Sequence, residues 1–308
     1  MPRSAVPPLS PIGHQALDRY ATALWAEADL SPVSVRNYLS DLRQFAAWCE
    51  ATWADGREAA PPFAPAAIAT PTLTRYRGYL QRDLGLKPAS INRALVSLKR
   101  YTAWAVEAGL LTRDPAKPVK LVPAIDPLPR HLEDDDEEAL LAAVTAHGTP
   151  RDRTIITLLL HTGLRVRELC GLRREHVHLG KRSGHLAVIG KRDKYREVPL
   201  NATVRAAVAE YLRVLPPETA ILFPSAKTGG SLTERALGYL IKKYARRANV
   251  SDVHPHDLRH RFGYRMAERV PLHRLAQIMG HDSLDTTMLY SRGTPRDLQR
   301  AVETIAWE

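Results

Sequence analysis

Apolar residues recur at spacings of three and four along most of this chain and alternate at two only over one short stretch. The clearest helical segment is 32–53, where Val35, Tyr38, Leu39, Leu42, Phe45 and Ala46 share a face. Ser31 stands where it can cap the first turn, and Pro32 occupies the first helical position. A similar pattern covers 14–29. The Ala- and Pro-rich stretch Ala54–Pro71 reads as a loop, after which helical spacing returns at 72–83 and at 88–109. Residues 1–13 carry four prolines and read as a flexible arm. Pro115, Pro118, Pro123, Pro127 and Pro129 deny helix and sheet bonding, so 115–129 reads as an extended, semi-rigid linker. Beyond it, the acidic run Glu133–Glu138 opens a helical pattern at 135–147. Its position at a helix start, favourable by ~0.3–1 kcal/mol per charge, explains it better than a metal site does. His185–Gly190 and Arg196–Leu200 are short β-like runs around a charged turn. Helical patterns then cover about 202–214, 233–248, 256–268, 271–279, 283–290 and 295–306. The expected fold is mainly α with a small β-sheet (α+β): a helical N-terminal domain, 14–114, and a second domain, 130–308.

Composition narrows the function. A chain of 308 residues suffices for two domains with a core in each. Its 44 Lys and Arg against 33 Asp and Glu leave a formal net charge of +11, which points to a polyanionic partner. Cys49 and Cys170 lie far apart and offer neither a disulfide framework nor a zinc spacing. The first residues lack the apolar stretch of a signal peptide, and the longest apolar run, Ile155–Leu160, is too short to span a bilayer. The expectation is a cytoplasmic protein with no membrane partner.

Four segments carry candidate chemistry. Thr162-Gly163-Leu164-Arg165-Val166-Arg167-Glu168-Leu169 follows an apolar helix that Gly163 should end, exposing Arg165. Lys191 follows Gly190 on the charged turn. His256-Asp257-Leu258-Arg259-His260 comes later, then Gly280-His281, and Tyr290 nine residues after that. Singly, each has an ordinary explanation: a solvated arginine, surface histidines one turn apart, a packed tyrosine with a wet hydroxyl. His256 and His260 lack the intervening Glu of a zinc-protease pair. Together and in this order they resemble the tyrosine recombinase (phage integrase) family, especially its Xer-like branch. The stretch from Leu30 to Leu42 is similar to that family's DNA-clamping domain.

The resemblance implies a site-specific DNA recombinase that cleaves and rejoins DNA through a 3′-phosphotyrosyl intermediate, in integration, excision or resolution, with no metal and no cofactor. Tyr290 is then the nucleophile. Arg165 and Arg259 grip the non-bridging phosphate oxygens with planar forks of donors, and His281 adds a further donor. Lys191 acts as general acid on the departing 5′ oxygen, with Lys194 on the same turn as the alternative. His256 assists proton transfer at the tyrosine hydroxyl, whose ordinary pKa of ~10 makes it a poor nucleophile at neutral pH. His260 and Glu168 are given supporting roles, and Arg261 is expected to touch DNA or face solvent. The implied partners are double-stranded DNA at recombination sites and a homo-tetramer on two sites, or a hetero-tetramer with a related recombinase. In it the last helix, 295–306, packs on a neighbouring subunit or on its own domain. A type IB topoisomerase uses similar groups, and a non-catalytic DNA-binding protein would explain the charge and the helices. The spacing from Gly280-His281 to Tyr290 favours the recombinase over the first, and the joint presence of the six site residues favours it over the second.

Overall fold

The computed structural model describes residues 8–54, 61–123, 132–190, 195–281, 283–291 and 302–303. Residues 1–7 of the arm expected at 1–13, the second half of the linker, the turn carrying Lys191 and Lys194, and most of 295–306 lie outside these residues. The chain divides into two compact units, Met1–Asp126 and Pro127–Glu308. Among the described residues no helix is long and apolar enough to cross a membrane.

The first unit is all-helical: α1 (Pro11–Ala26), α2 (Pro32–Trp53), α3 (Thr70–Gly78, continued by a π-helical turn to Asp83) and α4 (Pro88–Glu107). Ser31 caps α2 as its position implies, its hydroxyl accepting from the Ser34 amide, with Pro32 at N1. α1 starts at Pro11, earlier than its apolar spacing suggests, because Ser10 and Pro11 repeat that cap. The buried Glu50 carboxylate fastens this start. It accepts from the Ser10 amide and hydroxyl at 2.8 and 2.7 Å, and from the Phe63 amide at 2.8 Å. Tyr20, Leu42, Phe45, Tyr76 and Tyr101 form the centre of the core, with Phe45 and Tyr76 edge-to-face at 5.0 Å.

The first part of the expected linker belongs to this unit. Asn92 of α4 bonds the Val122 backbone in both directions, at 2.9 and 2.8 Å. Thr70 and Lys99 donate to the Pro115 and Ala116 carbonyls, and Ala116 and Val119 are buried in the helical core. Proline density removes backbone partners within the stretch, and side chains of α3 and α4 supply them instead.

The second unit begins with α5 (Asp134–His147) and α6 (Pro150–Thr162). Then come α7 (Val166–Cys170), β1 (Val177–Leu179), β2 (Gly184–Ile189), β3 (Tyr195–Pro199) and α8 (Ala202–Val214). It closes with α9 (Glu234–Arg247), α10 (Pro255–Ala267), α11 (Leu272–Met279) and α12 (Leu284–Met288). The strands form one antiparallel sheet in the order β1-β2-β3, with Leu186 opposite Val198 and Val188 opposite Arg196. β3 alternates between exposed and inward positions, whereas β2 buries Leu186, Ala187 and Val188 in succession and β1 is too short to show a pattern. α6 carries its apolar residues between Ile155 and Leu160, all buried, and packs against α5, α8 and α10.

Two expectations change here. Arg261 neither faces solvent nor is free for DNA: it is buried in α10, its Nε donating to Glu137 Oε2 at 2.6 Å and its Nη2 bonding Asp134. Arg265 adds a bond to Glu137 Oε1 at 2.8 Å. The acidic start of α5 therefore does more than complement a helix dipole, since Glu137 anchors α10 from behind. Replacing Glu137 with Ala would strand the Arg261 guanidinium without its buried partner, at a cost of roughly 3–5 kcal/mol. Urea unfolding of the full chain should show a loss of that order in the second unit, against a change below about 1 kcal/mol for Glu138→Ala on the exposed face.

Candidate active site

The site is assembled where four segments of the second unit converge. α6 ends at Gly163, whose φ of 61° turns the chain sharply into Leu164 and Arg165. A side chain there would meet the Phe262 ring at 2.5 Å, so the position demands glycine on two grounds. α11 ends in the same way at Gly280, φ 65°, where an added Cβ would sit 2.7 Å from the Arg196 guanidinium. These two turns aim carbonyls at two arginines. The Gly280 carbonyl accepts from Arg165 Nη2 at 2.6 Å, and the Gly163 carbonyl accepts from Arg259 Nη1. Each arginine is thus pinned by the helix-ending glycine of a different segment.

Glu168 completes the frame. Its Oε2 accepts from the Arg165 amide at 2.7 Å and its Oε1 from Arg165 Nη1 at 3.0 Å, as in a helix-capping arrangement at the start of α7. Arg196 of β3 adds a two-pronged pair, Nη1 to Oε1 at 2.8 Å and Nη2 to Oε2 at 2.9 Å. Burial by itself would raise the Glu168 carboxyl. The bonds from Arg196 and from the Arg165 amide, with the charges of both guanidiniums, hold it below the usual carboxylate range instead. Two arginines thus share one carboxylate, with Arg259 within electrostatic reach of it, which leaves an excess of fixed positive charge.

The two motif arginines differ in exposure. The Arg165 side chain is 39% exposed, while Arg259 is 5% exposed, with burial and the Arg165 charge pushing its pKa down to about 10. Arg259 Nη2 also donates to the Met279 carbonyl at 3.1 Å and meets His281 Nε2 at 2.8 Å. The His281 Nδ1 lies 2.7 Å from the Thr287 hydroxyl, so the ring's partners fit a proton on Nδ1 and an accepting Nε2. Burial and the nearby Arg259, Arg165 and Arg196 drive its pKa down to about 4.

Tyr290 is 7% exposed, its ring stacked near His281 and set edge-on to Tyr264. It lies against Gly263, where a Cβ would come within 2.6 Å of the ring. Burial raises the phenol pKa, opposed in part by Arg259. The hydroxyl is 3.0 Å from His260 Nδ1. Of the two histidines, His260, read as a supporting group, is the one in hydrogen-bonding range of this oxygen. His256 is exposed one turn earlier in α10, under the influence of Arg259 and Arg165, with its pKa lowered by burial and then by Arg259. The i,i+4 spacing puts the two residues on one face of α10, a turn apart, and only the position of Tyr290 decides between them. Arg165, Arg259, His281 and Tyr290 are brought together as expected. Lys191 and Lys194 lie outside the described residues, between β2 and β3.

Three contributors escaped the sequence reading: Arg196, Thr287 and Gly263. Arg196 left a signal, for it shares strand parity with the buried Val198 and Leu200, an arginine at an inward position. Gly263 left none, because its importance is contact with Tyr290, distant in the chain, whereas Thr287 lies within the Gly280–Tyr290 segment, six residues from the His281 ring it meets.

Residues 130–296 match the phage integrase family, and residues 17–109 match the phage integrase N-terminal SAM-like domain. The tyrosine recombinase XerD of Pseudomonas aeruginosa is 33% identical over 92% of this chain and 94% of its own length. The tyrosine recombinase XerC of Xanthomonas axonopodis pv. citri is 31% identical over 90% and 91%. Among solved structures, the XerH site-specific recombinase bound to a palindromic difH substrate aligns with a TM-score of 0.72 at 21% identity, covering 95% of this chain and 83% of that one. Family matches in both units and curated relatives of near-equal length agree with the geometry around Tyr290: the chain belongs to the phage integrase family, as a site-specific recombinase of the tyrosine type.

Proposed function

We propose that this protein breaks and rejoins double-stranded DNA at defined sites, with Tyr290 as nucleophile. The observation that carries the reading is the Tyr290 hydroxyl, held on His260 Nδ1 at 3.0 Å beside Arg165, Arg259 and His281. A phosphodiester under attack gathers charge on its non-bridging oxygens, and preset cationic donors stabilise that charge without reorganising. Arg165, the more exposed arginine, makes the first contact. Arg259 follows by exchanging part of its internal bonding for phosphate oxygen, and His256 lines the same side. The Tyr290 oxygen bonds to phosphorus as its proton passes to His260, and the 5′ oxygen leaves with a proton from Lys191. The 3′-phosphotyrosyl ester keeps the energy of the broken bond. A 5′-hydroxyl from another strand then attacks that ester, and the proton transfers run in reverse.

The helical first unit is read as the part that clamps duplex DNA together with the second. The segment 295–306 is read as the helix through which protomers exchange contacts in a tetramer on two sites.

Duplexes selected by the full-length protein from a randomised pool, then nicked to trap cleavage, should give an SDS-resistant protein–DNA adduct without added metal. Tyr290→Phe should bind the same duplexes and give none; an undiminished adduct would falsify the assignment.

Lys191→Ala should slow cleavage of ordinary DNA by ~10²–10⁴. A 5′-bridging phosphorothiolate, whose sulfur leaves without a proton, should restore its rate. Restoration seen only in Lys194→Ala would transfer the role to that residue.

His281 should be neutral in the free protein down to about pH 4, because burial and then the surrounding cations disfavour its charged form, and should take a proton more readily once a phosphate sits among them. NMR of ring-labelled histidine, with His281→Gln to assign the signal, checks both halves. Titration near the ordinary histidine value of ~6.5 in the free protein would contradict the electrostatics described.

A further inference from the structure

We propose that Arg196 is a positioning residue of the cleavage reaction, holding the Arg165 guanidinium in the orientation that grips the phosphate. The proposal rests on the reading of Tyr290 and its neighbours as a phosphotyrosyl centre.

Both anchors of the Arg165 guanidinium lie against Arg196. Arg165 Nη1 bonds Glu168 Oε1, and that carboxylate is held by both prongs of Arg196, at 2.8 and 2.9 Å. Arg165 Nη2 bonds the Gly280 carbonyl, and the Gly280 Cα packs so closely on the Arg196 guanidinium that no side chain would fit between them. Arg196 Nε also donates to the Ile278 carbonyl at 3.3 Å, in the last turn of α11 before that glycine. One guanidinium therefore orients the two acceptors on which the other depends.

The exposures assign the roles. The Arg196 side chain is 14% exposed and stands behind Arg165, which faces solvent more openly. Arg196 is spent on protein partners, whereas Arg165 keeps donor capacity for a ligand. Charge follows the same division. Alone with Glu168, Arg165 would be largely neutralised by it, and with Arg196 sharing the carboxylate, the positive charge of Arg165 stays available to an anion. A buried ion pair is weak evidence of net stabilisation, since a well-packed apolar pair serves as well. Its value here is direction: a planar two-pronged contact fixes the carboxylate plane, which a lysine could not do.

The charged groups facing Glu168 are Arg165 at the start of its own helix, Arg196 on β3 and Arg259 on α10, with His281 beyond α11 facing the same arginines. Without Arg196 the buried Glu168 loses its strongest hydrogen bonds and binds a proton at a higher pH. A protonated Glu168 no longer holds Arg165.

The test uses the full-length protein on the nicked, selected duplexes. Arg196→Gln should bind them within about twofold of wild type and form adduct on the order of 10²-fold more slowly, the scale of a misplaced catalytic group. Its rate should fall on the acid side at a pH where the wild-type rate is still flat, which a loss of packing alone would not produce. Arg196→Lys, which keeps the charge and folds more readily, should recover part of the rate and of the acid tolerance. The double variant with Glu168→Gln should be no slower than the slower single variant by more than about threefold, as for two residues acting through one contact. Wild-type rate and pH profile in both Arg196 variants, or losses that multiply with Glu168→Gln, would overturn the proposal while leaving the Tyr290 reading intact. No adduct from the wild-type protein would overturn both.

Discussion

The crossed bonding of two arginines to two helix-ending glycines is the constraint on which the rest of the second unit depends. Arg165 follows Gly163 in sequence and bonds the carbonyl of Gly280; Arg259 bonds the carbonyl of Gly163 and reaches Met279 and His281, on either side of Gly280. The first segment is separated from the other two by about a hundred residues of chain, yet none can shift without breaking a charge-assisted bond to another. Such bonds are stronger than neutral ones, and in a partly desolvated setting they are costly to leave unmade. The left-handed turns matter for what they present, namely free carbonyls at helix ends, as much as for the change of direction.

Tyr290 inherits its position from this frame. His281 is located by Arg259 on one ring nitrogen and Thr287 on the other, and the Tyr290 ring lies near it, over the backbone of Gly263. α10 therefore supplies an arginine to the frame, a histidine to the tyrosine hydroxyl and a bare patch of backbone for the tyrosine ring. Behind that helix, Glu137 of α5 holds Arg261 and Arg265, so that α10 is secured on the face away from the chemistry as well. Burial and the excess of cation over carboxylate together explain the electrostatic pattern, in which both His281 and Arg259 are shifted toward their neutral forms.

Much of this was legible in the sequence. Caps and apolar spacing gave α2 and α4 closely, and the order of the motifs pointed to Arg165, Arg259, His281 and Tyr290 as one site. Local chemistry is sufficient for such features, because a proline after a serine, or a glycine after an apolar run, acts on its own neighbourhood. The proline-rich stretch after α4 shows the limit. Its composition excludes helix and strand, yet says nothing about whether side chains elsewhere will satisfy its backbone, and those of α3 and α4 do so as far as Val122.

The sequence by itself determined the chemical inventory: a set of cationic donors, a late tyrosine, the glycine turns, and a helical fold with one small sheet. Tertiary structure decided which member of each near-equivalent set meets which partner. It put His260 rather than His256 on the Tyr290 hydroxyl, turned Arg261 inward to Glu137, and made Arg196 a partner of Glu168. The physical reason is common to all three. Periodicity places a residue on a face, but the charge or hydroxyl that face meets comes from a segment far along the chain, and only packing brings the two within hydrogen-bonding range.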